Sequence, residues 1–146
     1  MERISFKGVA IGNIVDIVSS SIVGSLVAIY VLKSSAASVK DMGAANQLVL
    51  ASSAFWFWST ILGSLGSVIG GYIAARIAKH DDVLNGALSS ILCVGATVCA
   101  LVSGGAAGHE ALYFVSLPLS PALTALGGYL SARHRARQRP VARRAD

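Results

Sequence analysis

Four long apolar stretches separated by short polar segments divide the chain. They run from about Val9 to Leu32, Ala54 to Ala75, Val83 to Ser103 and Ala111 to Ala132. Each is long enough to cross a hydrocarbon core of about 30 Å as a helix rising about 1.5 Å per residue. Aromatic residues mark the ends: Phe6 and Tyr30 on the first stretch, Phe55-Trp56-Phe57-Trp58 and Tyr72 on the second, Tyr113, Phe114 and Tyr129 on the fourth. Rings of this kind sit at the headgroups.

Two of these ends repeat. Gly70-Gly71-Tyr72-Ile73-Ala74-Ala75-Arg76 recurs as Gly127-Gly128-Tyr129-Leu130-Ser131-Ala132-Arg133. An apolar run that closes on a tyrosine and then an arginine is leaving the membrane, so Tyr72, Arg76, Tyr129 and Arg133 mark one interface. Two exits on the same side require an even number of crossings between them. The pattern therefore predicts an all-α polytopic membrane protein with four transmembrane helices arranged as two similar hairpins. A pseudo-two-fold axis along the membrane normal would relate them.

Composition agrees, with 54% hydrophobic and 13% charged residues and a mean hydropathy of +0.66, well outside the range of a water-soluble domain. The 146 residues accommodate residues 1–132 as one membrane domain and 133–146 as a basic tail, leaving no separate soluble catalytic domain. Charge orients the spans. Arg3, Lys7, Arg76, Lys79, Arg133, Arg135, Arg137, Arg139, Arg143 and Arg144 all fall on one side, against Lys33 and Lys40 on the other. Both termini, and the tail with them, are thus expected in the cytoplasm. Ser35-Ala36-Ala37 would suit a signal-peptide cleavage site, but cleavage would leave three spans and divide the basic ends between the two sides, so the first stretch reads as a retained helix.

Asp16 is the one acid inside a span. It lies about 13 Å from Lys7 along a helix, where an isolated charge costs about 2.5 to 3.5 kcal/mol. Compensation is expected from Asn13 on the same helix face and from Ser67, Ser89, Ser90 and Thr124 at matching depth, as a polar cluster inside the bundle. Such an acid either orients the first helix through a hydrogen bond or carries protons or ions.

The second span carries two rows of small residues, Gly63, Ser67, Gly71 and Ala75 beside Gly66, Gly70 and Ala74. They form a smooth face for close helix packing, within the chain or against a second copy or another membrane protein. Pro118 and Pro121 free the carbonyls of Phe114 and Leu117 and predict a bend in the fourth span.

Other residues carry less. Cys93 and Cys99 are six apart on one helix and cannot bridge each other. His80, Asp81 and Asp82 read as the start of the third span, the aspartates complementing its dipole, and His109 and Glu110 as the start of the fourth. No metal or cofactor site is expected. The arginine-rich tail suits anionic lipid headgroups; without interleaved aromatics it does not suit nucleic acid. No nucleotide loop, HExxH, GxSxG or paired-cysteine pattern is present, which disfavours an enzyme.

Around Gly70 to Leu92, with the GGY-x-x-AR exit followed by Asn85-Gly86-Ala87-Leu88, the chain resembles small four-helix bacterial inner-membrane proteins of uncharacterised function. The resemblance implies a multi-pass protein of a bacterial inner membrane and no particular chemistry. Two functions stay open. One is a non-enzymatic structural or partner-binding membrane subunit; the other is a small proton- or ion-coupled transporter or channel using Asp16.

Overall fold

The computed structural model describes residues 4–35, 41–104, 108 and 110–142, with side chains through Gln138. The helices are α1 (Phe6–Ser34), α2 (Met42–Ala51), α3 (Ser53–Ala78), α4 (Asp82–Leu88), α5 (Ile91–Val102) and α6 (Glu110–Ala142), and the described residues contain no strand. Four helical segments are long and apolar enough to cross a membrane: α1, α3, α4 together with α5, and α6 through Gln138.

Local chemistry sets the helix ends. The side chains of Ser5, Asp41 and Ser52 accept from the backbone N–H groups of Gly8, Ala44 and Phe55, capping α1, α2 and α3. Lys79 ends α3 in the left-handed conformation at φ 61°. Asp81 precedes α4 at φ 41° without a side-chain capping bond, so only Asp82, in the first turn, has the position expected of an acid at a helix start.

Three features depart from the sequence expectation. The 33–53 connection contains α2, whose Val49 is buried against Val27 and Val31 of α1. The third span is broken at Ser89-Ser90, where the hydroxyls donate to the carbonyls of Gly86 and Ala87. Side chains that bond their own backbone compete with the helix in this way. The helix of the fourth span, assigned as one element through Pro118 and Pro121, continues past Ala132 into the basic segment as far as Ala142.

Burial is inverted relative to a water-soluble domain. The largest fully buried side chains are Asn85, Thr124, Asp16, Ser89, Ser90 and Ser131, all polar, while Ile14, Ile22, Leu26, Leu65, Ile69, Ile91 and Phe114 are exposed. In water apolar side chains collect inside. Here the apolar surface suits hydrocarbon and most of the buried polar groups are bonded within the bundle, to backbone carbonyls or to one another, Ser131 Oγ being an exception.

Helix α3 is central, lying along both α1 and α6, while α4 lies along α6. Its two rows of small residues serve different neighbours. A methyl group added at Gly66 would meet Ser19, and one added at Gly70 would meet Gly12 and Asp16, all of α1; Ala74 faces Gly8 and Gly12 of the same helix. A methyl at Gly71 would instead overlap the backbone carbonyl of Thr124 in α6. Gly63, expected in the same contact face, has nothing within 4 Å of that position.

The repeated glycine pairs stand at one level. Gly127 lies against the backbone of Val68 and Tyr72, two residues either side of Gly70, so α3 and α6 run side by side in the register of the repeat. An exact two-fold relation of the two halves does not hold, however. It would turn Gly127 toward α4 and α5, as Gly70 is turned toward α1, whereas Gly127 faces α3 and Gly128 faces Asp82 and Val83 of α4.

The two ends of the bundle differ. At one end the backbone N–H of Ser5 donates to Asn85 Oδ1 at 2.7 Å, and Arg135 pairs with Asp82 and donates to the carbonyl of Ala75. Gly8, Gly12, Gly70, Gly71, Gly86, Gly127 and Gly128 all lie in this half, each with foreign atoms where a methyl group would stand. Toward the α2 end, Gly24, Gly63 and Gly95 have open space instead, and α5 has no buried residue. The bundle is closed backbone to backbone at the end holding Ser5 and Arg135; at the other, splayed end the helices are joined by larger side chains, Val27, Val31 and Val49 with Phe55 and Leu62, and Trp56 of α3 with Tyr113 of α6 at a ring separation of 6.3 Å.

Candidate functional site

Asp16 sits where the closed half gives way to the splayed one, about 15 Å along α1 from Phe6, and is fully buried. Its Oδ1 accepts from the Ser67 hydroxyl of α3 at 2.8 Å, and its Oδ2 from the Cys93 thiol of α5 at 3.3 Å. Hydrogen bonds from two other helices thus meet on one carboxyl group. Gly70 lets the Asp16 backbone approach α3 closely enough for the first of them.

The break in the third span belongs to the same site. Breaking a helix frees backbone N–H groups at the start of the second piece, and Asn13, one turn before Asp16, supplies a carbonyl there. Its Oδ1 accepts from the Leu92 N–H at 3.3 Å while its Nδ2 donates to the Val9 carbonyl at 3.1 Å. Helix α5 is therefore capped by a side chain from α1, with no capping bond from its own Ser90.

A cleft of about 240 Å³ opens from Asp16 toward the splayed end. All four membrane-length segments line it: Asp16 and Ser20 from α1; Ser59, Thr60, Gly63, Ser64 and Ser67 from α3; Cys93 and Thr97 from α5; and Ser116, Leu119, Ser120 and Leu123 from α6. Asp16 is the only ionisable side chain among them besides the Cys93 thiol. The cleft descends along α3 from Ser59 to Ser67, about 12 Å at helical rise. Ser59 Oγ is buried and has no hydrogen-bond partner.

No family model, curated protein or solved structure matches this chain. Its site is therefore read from its own geometry.

The expected polar cluster divides into separate parts. Of the expected partners only Ser67 bonds Asp16, while Asn13 bonds the Leu92 N–H and the Val9 carbonyl. Ser89, Ser90 and Thr124 are buried at that level but bond carbonyls of their own chain segments, Thr124 donating to Ser120 at 3.1 Å and Pro121 at 3.2 Å. Their short hydroxyls reach the preceding turn and go no further. Gly63 lines the cleft rather than a helix contact. At the closed end Arg76 donates to the Tyr72 hydroxyl at 3.2 Å, while Tyr129 and Arg133 are exposed. His109 lies outside the described residues.

Two residues of consequence were not expected. Cys93, one of two thiols read as inert, is a direct partner of Asp16. Asn85 is fully buried, and its amide donates to the carbonyls of His80 and Asp81 at 2.9 and 3.1 Å while accepting from Ser5. It fastens the start of α1 to the turn before α4. An asparagine at the third position of an apolar run was the available signal, since an uncharged amide in hydrocarbon also needs partners.

Proposed function

We propose that this chain is a non-enzymatic, multi-pass protein of a bacterial inner membrane, built as two hairpins with both termini in the cytoplasm, and that it takes up a proton or small ion at Asp16. The observation that supports this is the hydroxyl-lined cleft ending on a fully buried acid beside a broken helix. Membrane transporters place their ion sites at such breaks near mid-membrane, where helix ends and unwound backbone face a cavity. In this orientation the cleft opens outward and the glycine-lined half closes the cytoplasmic side.

The orientation rests on the one-sided basic residues. Tags at either terminus are expected to report the cytoplasm and a reporter between Lys33 and Gln47 the periplasm; a cytoplasmic signal from that loop would reject the orientation. The exposed Arg133 and Arg137 suit anionic headgroups, whereas Arg135 is engaged by Asp82 and Ala75.

A second reading, a structural or partner-binding subunit, is favoured by the fact that both Asp16 oxygens already have donors. Flux separates the two. In proteoliposomes bearing a pH or ion gradient, the native chain is expected to conduct, and Asp16→Asn, neutral and nearly isosteric, to abolish the flux while inserting and folding normally. Unchanged flux in Asp16→Asn would leave the structural reading.

A further inference from the structure

Resting on the assignment of the cleft as an ion site, we infer that its ligand is a monovalent cation that keeps part of its water, bound at Asp16 and Ser67 beneath a wall that presents several hydroxyl oxygens. The first ground is how the wall uses its protons. Each hydroxyl has one proton to donate and two lone pairs. Thr60 donates to Trp56 O at 2.7 Å, Ser64 to Thr60 O at 2.6 Å, Thr97 to Cys93 O at 2.8 Å and Ser116 to Tyr113 O at 2.8 Å. Ser67 and Cys93 donate to Asp16 itself. With their protons committed, these groups have only lone pairs left for the cleft. Ser20, Ser59 and Ser120 of the same lining make no such bond and keep a proton to donate, so the exclusion of anions falls to the Asp16 carboxyl group at the foot of the cleft. The lining suits a cation or the hydrogens of its water shell.

Charge sets the valence. The cleft holds one carboxyl group and no basic side chain, so a single positive charge is neutralised, whereas a divalent ion would leave a net charge buried in a low-dielectric interior. Divalent ions of the calcium class are held by six to eight oxygens, commonly with several carboxylates. The described residues contain no group of three His, Cys, Asp or Glu side chains able to hold a transition metal. Hydroxyl and carboxylate oxygens are hard donors, matched to alkali ions and to ammonium.

Volume sets the hydration. Against about 30 Å³ for a water molecule in the liquid, the 240 Å³ of the cleft admits an ion with several waters. Ser59 Oγ, buried and without a partner about 12 Å above the level of Ser67, is then a contact for that water at the entrance.

The test uses the purified full chain in detergent at constant ionic strength and reads the thermal unfolding midpoint in NaCl, KCl and NH₄Cl, with N-methylglucamine chloride as the large-cation control and CaCl₂ as the divalent one. A saturable rise with at least one small monovalent cation is expected, and the tightest of the three names the species. Asp16→Asn is expected to abolish the rise, and Ser67→Ala to shift its half-saturating concentration upward about tenfold. Ser59→Ala, at the entrance, should shift it less. An equal rise in N-methylglucamine, a stronger one in CaCl₂, or a rise retained in Asp16→Asn would overturn the inference. If no cation raises the midpoint while Asp16→Asn still loses pH-driven flux, the site carries protons: the functional assignment then stands and the cation does not.

Discussion

Gly71→Ala and Gly127→Ala are each expected to destabilise the bundle by about 1 to 3 kcal/mol or more, the usual cost of forcing an extra group into a filled interior. Gly24→Ala, Gly63→Ala and Gly95→Ala should be neutral or stabilising by up to about 1 kcal/mol through helix propensity. The difference lies in what stands opposite. At Gly71 and Gly127 the added methyl overlaps backbone, the carbonyls of Thr124 and Val68, which cannot rotate away as a side-chain tip can; at the other three positions nothing lies within 4 Å. Relieving the clash means separating α3 from α6 along their closest approach. Unfolding midpoints for the five variants in one detergent check the contrast, and a uniform response would show that the glycines do not define two differently closed halves.

Asp16→Leu is expected to cost about 2 to 4 kcal/mol and Asp16→Asn no more than about 1. Leucine removes both acceptors, leaving the Ser67 hydroxyl and the Cys93 thiol without their partner. Buried donors left unpaired cost about 1 to 3 kcal/mol, moderated in membranes because the unfolded reference state also finds partners. The bulk of leucine adds to this, since the Asp16 Cβ already lies close to Gly70. Asparagine keeps an acceptor for one donor and nearly the same volume. Reversible unfolding of both variants side by side tests the ordering; a silent Asp16→Leu would mean that the hydrogen bonds on the carboxyl contribute nothing to holding α1, α3 and α5 together.

How much of this was legible in the sequence depended on whether the signal was local. The four apolar lengths and the glycine rows are one-dimensional patterns, and so is the exception that Asp16 makes in its span. Asp16 required partners wherever it lay, and Ser67 was among those nearest in depth. Which glycines were in contact was not legible, because Gly63 and Gly71 occupy one row and differ only in whether α6 remains close. The break of the third span was missed because that stretch carries no proline, the residue at which a helix interruption is usually sought. Helix α6 continues as one element through Pro118 and Pro121, while Ser89 and Ser90, individually tolerable in a helix, together turn the chain toward its own carbonyls. Cys93 could not have been singled out from Cys99 without knowing that the break places it beside Asp16.

The unequal closure of the two halves also shapes the electric field. A membrane potential falls mainly across the poorly polarisable part of a path and hardly at all across water. In the proposed orientation, with water filling the cleft above the buried Asp16, little of the voltage would lie between the periplasm and the carboxyl, and most of it would lie across the few turns where Gly12, Gly70, Gly71, Gly127 and Gly128 bring backbones together. Moving one charge through the full potential is worth about 2.3 kcal/mol per 100 mV. On the proposed ion-site reading, loading of Asp16 from outside is then expected to be nearly insensitive to voltage, with the driving force of the membrane potential falling across the glycine-lined half.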